Sequence, residues 1–90
     1  MTADQHVAEL EMLRGEIEML MGERQSLLRA AGAAAVFVAQ LDSSVLPEST
    51  YASADVLAHA LNELPEDTLK DALELVRPEF EASSEDDAGR

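Results

Sequence analysis

The chain has 90 residues, 19 acidic against six basic side chains for a net charge of −13, and no cysteine. That length bounds it to one domain. A domain so small buries only part of its surface when it folds alone, so association is a natural supplement. The missing cysteines exclude disulfides, thiolate metal sites and a thiol nucleophile. The charge disfavours nucleic acid and anionic lipid, because binding phosphate requires cations.

The charge is unevenly spread. Residues 1–41 hold six acids and three arginines, residues 42–78 eight acids with Lys70 and Arg77, and residues 79–90 five acids with Arg90. If electrostatics select a partner, that partner is basic; otherwise the acids serve solubility. No basic region opens the chain at Met1–Asp4, so no signal peptide is expected. The most apolar run, Ala30–Ala39, contains Gly32 and is about half of what a membrane span needs. The expected location is cytoplasmic.

The first predicted element is a helix over about residues 4–41. Leu, Met, Glu, Arg and Ala dominate it, all good helix formers. Asp4, Glu9 and Glu11 sit towards its N-terminus and Arg24 and Arg29 later, as the helix dipole favours. At about 1.5 Å per residue it makes a rod of roughly 57 Å. Gly15, Gly22 and Gly32 weaken it, each by about 1 kcal/mol against Ala. The run Arg29-Ala30-Ala31-Gly32 resembles a C-terminal cap. The heptad nevertheless keeps phase through Gly32, which favours one continuous helix with a bend at most.

That heptad is the main sequence signal. With Leu10 at an a position, the a/d series reads Ala3, His6, Leu10, Leu13, Ile17, Leu20, Arg24, Leu27, Ala31, Ala34, Val38, Leu41. Its spacings alternate four and three, which keeps one seam of a helix against a partner. Val7, Met21 and Leu28 widen the seam at e, and Glu9, Glu16 and Glu23 occupy g. From Ala30 to Leu41 the helix is apolar nearly all round, as in a bundle interior.

Asp42, Ser43, Ser44, Pro47, Glu48, Ser49 and Thr50 read as a polar connection. A second helix is predicted over about 52–63, with apolar face Val56, Leu57, Ala60, Leu61 and Leu64 and with Thr50 or Ser53 as its cap. A third follows over about 65–77, opened by Pro65 at its first position and by Glu66 and Asp67 in its first turn. It buries Leu69, Ala72, Leu73 and Val76, and Pro78 is expected to stop it. Residues 79–90 read as a disordered acidic tail. The expected fold is all-α: a long N-terminal coiled-coil helix plus two short C-terminal helices folding back as a helical bundle, one domain over 1–78. The predicted core is Leu10, Leu13, Ile17, Leu20, Leu27, Leu28, Ala34, Val38, Leu41, Val56, Leu57, Leu61, Leu69, Leu73 and Val76.

Two helices of about 12 residues span about 18 Å each. They can cover only about a third of the rod, over Ala30–Val45. The seam Leu10, Leu13, Ile17, Leu20, Arg24 and Leu27 is then left for a homodimer, since exposed seams mark interfaces. In a parallel pair Glu9 at g meets Arg14 at e of the other chain, but Arg24 faces its own copy. An antiparallel pair separates the arginines and brings the g-row glutamates together. Arg24 can also snorkel to solvent. A second stripe, Met12, Gly15, Met19, Gly22 and Ser26, lies at c and f on the far side. Small residues and adaptable Met suit a docking face for another protein, and an ordinary exposed face explains them equally.

No catalytic constellation is present in the sequence. His6 lies on the seam near the terminus, and His59 is one turn after Asp55, where an i, i+4 ion pair accounts for it. Neither HExxH nor Glu-x-x-His occurs, no phosphate loop and no GxSxG is found, and Phe37, Tyr51 and Phe80 make no stacking platform. Neither enzyme activity nor a cofactor or metal is expected. The leading expectation is a small acidic dimeric interaction module (an adaptor, chaperone or regulator) with an unidentified protein partner. The alternative is an acidic inhibitor of a nucleic-acid-binding protein, acting through Glu9, Glu11, Glu16, Glu18 and Glu23, with Glu66, Asp67, Asp71 and Glu74 as a further patch. In size and charge alone the chain resembles phage-encoded anti-restriction and anti-CRISPR proteins. An exposed face with no partner explains the same carboxylates.

Overall fold

A computed structural model describes residues 2–88, with side chains described as far as residue 83. Three helices follow in order, α1 (Ala3–Gln40), α2 (Tyr51–Asn62) and α3 (Glu66–Ala88), and no strand occurs among the described residues. The fold is all-α, with the long N-terminal helix packed against the two later ones.

α1 begins in a capping box. The Gln5 N–H donates to Thr2 Oγ1 at 3.2 Å, and the Thr2 N–H donates to Gln5 Oε1 at 3.0 Å. Two otherwise orphaned donors are satisfied reciprocally. The helix runs unbroken through Gly15, Gly22 and Gly32. It ends where Leu41 turns extended, and Asp42 then ties down the next turn. The Ser44 N–H and Oγ donate to Asp42 Oδ1 at 3.0 and 2.6 Å. The polar connection holds two single 3-10 turns, Ser43–Val45 and Glu48–Thr50.

The start of α2 differs from expectation. Thr50 precedes the helix, but its hydroxyl donates back to the Pro47 carbonyl at 2.7 Å, and the Ser53 hydroxyl donates to the Thr50 carbonyl at 3.1 Å. Neither caps an N–H. The buried face is also rotated: Ala54, Leu57, Ala58 and Leu61 turn inward, while Val56 is exposed. The small Ala54 and Ala58 let α2 approach Val38 and Leu41 at the end of α1, forming an open groove with them. A β-branched residue would hold the helices apart there.

α3 departs most from expectation. Pro65 stands just before the first helical residue, where its carbonyl accepts from the Leu69 N–H at 3.0 Å. Pro78 does not stop the helix, which continues to Ala88, so the segment expected to be a disordered tail is helical from 79 to 88. Residues 89 and 90 lie outside the described residues. Pro78 removes one N–H donor, and the carbonyl left without a partner belongs to Glu74, an exposed residue that water can reach. One interrupted bond does not end a helix that still gains contacts beyond it. Glu79 pairs with Arg29 of α1, and Phe80 is partly covered.

The core sits where α1 and α3 cross. Leu28, Gly32, Leu61, Ala72 and Val76 are buried, with Ala72 and Val76 wholly so. Gly32 lies directly against the Ala72 backbone and the Val76 side chain. α3 runs antiparallel to α1, since Ala72 meets Gly32 while Glu79 meets Arg29. Of the predicted core, Leu28, Leu61 and Val76 are buried and Ala34, Val38, Leu41, Leu57 and Leu69 half-buried. Val56 and Leu73 are exposed, contrary to expectation. Leu73 lies one position past Ala72, and the close crossing at Ala72 turns it off the contact line.

Candidate protein-interaction face

The seam on α1 is uncovered within the chain. Leu10, Leu13, Ile17, Leu20 and Leu27 are 53–72% exposed, Val7 and Met21 are similarly open, and Arg24 is exposed among them. The helical period explains this. α3 packs on the side of α1 marked by Leu28 and Gly32, four residues apart and therefore stacked on one face. Leu27 and Ala34 point away from it. The bundle thus uses one face of α1 and leaves the heptad face free. α2 closes only its far end, at Val38 and Leu41.

α3 reaches further back along α1 than two short helices would. Leu75 and Glu79 border a groove with Gly22, Gln25, Ser26 and Arg29. It therefore flanks part of the second stripe, at Gly22 and Ser26, where the Ser26 hydroxyl donates to the Gly22 carbonyl at 3.2 Å. Met12, Gly15 and Met19 stay open, and nothing lies near the positions a Cβ would take at Gly15 or Gly22. Glu9, Glu11, Glu16, Glu18 and Glu23 are all exposed, and none is in an ion pair among the described residues.

Among the described residues the ion pairs are Arg29–Glu79, between helices, and Arg77–Glu81 at 3.8 Å along α3. Both are more than half exposed, which limits their worth in water. The expected Asp55–His59 ion pair is replaced by a backbone contact, with His59 Nδ1 2.9 Å from the Asp55 carbonyl oxygen. That nitrogen must carry the proton to donate. The carboxyl of Asp42 is moved from its ordinary value. Its pKa is lowered, first by the Ser44 hydroxyl and then by the Ser44 N–H, both donating to the charged form. Among the described residues no group of three or more His, Asp or Glu is placed to hold a metal ion. No helix there is long and apolar enough to cross a membrane.

Sequence reasoning missed the close approach of Gly32 to the Ala72 backbone. The signal was present as two small residues on faces predicted to meet, and it was read as a helix-weakening glycine instead. Comparison with protein-family models, with curated proteins and with solved structures finds no match to this chain.

Proposed function

We propose that this chain is a small acidic interaction module that acts as a homodimer through the α1 seam and has a binding rather than a catalytic role. One observation carries the reading. An apolar stripe from Val7 to Leu27, broken only by Arg24, stays more than half exposed while the chain's own helices pack on another face. Contiguous apolar surface of that extent marks an interface in soluble proteins. The a/d spacing fits a second helix of the same kind better than a globular partner. In this arrangement the two α1 rods form a stalk, and the remaining faces, including Met12 and Met19, are offered to a further protein.

Light scattering across a dilution and salt series tests it. Two chain masses over the series support the reading. Ile17→Asp combined with Leu20→Asp should then give monomers or unfold the chain, because each copy would bury unpaired charge. A double mutant that remains a dimer of unchanged affinity places the interface elsewhere.

The unpaired exposed glutamates favour a second reading, an acidic inhibitor that occupies the basic surface of a nucleic-acid-binding protein. It calls for salt-sensitive binding that is lost when Glu9, Glu11, Glu16, Glu18 and Glu23 become Gln. A folded monomer in solution would move this reading to first place.

A further inference from the structure

We infer that the two α1 helices pair in parallel, with Arg24 of each copy lying beside Glu23 of the other. The inference rests on the dimer proposed above and fixes its geometry. In a parallel pair an a residue packs next to the partner's preceding g residue, and g lies across from the partner's following e. Arg24 is at a and Glu23 at the preceding g, so the two arginines, which face each other at a, each reach an acid of the other copy that offsets their repulsion. Glu9 and Arg14 meet in the same way at the other end of the seam.

Within one chain Arg24 and Glu23 have no opposite charge three or four residues away, whereas Arg14 has Glu11 and Glu18 at those spacings. Arg24, Arg14, Glu9 and Glu23 are exposed and outside any ion pair among the described residues. Adjacent residues do not face each other on a helix, so Arg24 cannot satisfy its own Glu23.

The antiparallel alternative is worse on two counts. It faces g row to g row, which brings Glu9, Glu16 and Glu23 towards like charges and gives none of them a cation. It also sets Arg24 opposite a leucine of the partner seam, removing a charge from water without an acid beside it. The intrachain packing covers the e-position Leu28 at the bundle end of the seam and leaves the a and d positions from Leu10 to Leu27 open to a parallel partner. α3 lies on the Leu28 and Gly32 side of α1, and α2 closes over the seam only at Val38 and Leu41. Parallel pairing therefore sets both bundles at one end of the stalk and both N-termini at the other.

The absence of cysteine makes a direct test simple. Leu13→Cys and Leu27→Cys, made separately, place one thiol at a d position that meets its own copy in a parallel pair. A disulfide requires Cα atoms about 4.4–6.8 Å apart. Under mild oxidation both variants should convert to the linked dimer nearly completely. In an antiparallel pair at most one position can lie at the centre, so a dimeric mass with one variant or neither linking overturns the parallel arrangement and leaves the dimer standing. A monomeric mass for the unmodified chain overturns both. As a second test, Glu23→Arg should weaken the dimer at least tenfold, and adding Arg24→Glu should restore most of that loss. No rescue in a folded dimer would show that the two positions do not meet.

Discussion

Gly32 and Ala72 are in backbone contact across the α1–α3 crossing. A Cβ added to Gly32 would overlap the Ala72 carbonyl oxygen, and would lie 2.8 Å from its carbon and 3.1 Å from Val76 Cγ2. Helices approach this closely only where a side chain is missing. The glycine weakens α1 as a helix, and the packing of Val76 and Ala72 offsets that cost.

The three helical glycines should therefore respond in opposite senses to one substitution. Gly32→Ala gains about 1 kcal/mol of helix propensity but forces two backbones apart, a clash typically costing about 1–3 kcal/mol. Because the obstacle is a carbonyl rather than a flexible side chain, the clash outweighs the gain and net destabilisation of up to about 2 kcal/mol is expected. Gly15→Ala and Gly22→Ala meet open space and should each stabilise by up to about 1 kcal/mol. Urea unfolding of the three variants, at one protein concentration, checks the pattern.

Val76 and Val56 make a similar contrast. Val76 has no exposed surface and Val56 is 69% exposed. Val76→Ala should cost about 2 kcal/mol, the lost transfer energy plus a cavity under the crossing. Val56→Ala should stay within about 0.5 kcal/mol. Comparable losses from both would mean that Val56 is covered in the assembled protein.

Pro78 lies inside the continuous α3. Pro78→Ala restores an N–H donor and removes the ring's clash with the preceding turn. Since an interior proline costs about 3 kcal/mol, the substitution should raise both helicity and Tm. Circular dichroism with a thermal melt measures both. An unchanged or lower Tm would mean that the helix does not continue beyond Pro78 in solution.

The Asp42 turn sets a pH signature. Its folded pKa is lowered, so the stability it contributes is present above the ordinary carboxyl value of 3.8 and is lost as pH falls through the folded value. A carbon-detected NMR titration should place Asp42 below 3.8, and Ser44→Ala should move it part of the way back. The hydroxyl is the larger cause and the backbone N–H remains. A titration indifferent to Ser44→Ala would remove the hydroxyl from this account.

The sequence by itself determined the number and order of the helices and the unbroken course of α1 through Gly32. It also determined the a/d periodicity of α1. Hydrophobic period and helix propensity act along the chain, so they can be read along it. Pairing across space cannot. That α3 chooses the Leu28–Gly32 face, and so leaves Leu10 to Leu27 open, follows from the fit of Gly32 against Ala72. That α2 turns Ala54 and Ala58 inward and Val56 outward depends on how near it must come to Val38 and Leu41. The continuation of α3 through Pro78 was also a tertiary decision. A proline alone predicts a stop, but contacts beyond it, at Glu79 and Phe80, outweigh one missing hydrogen bond.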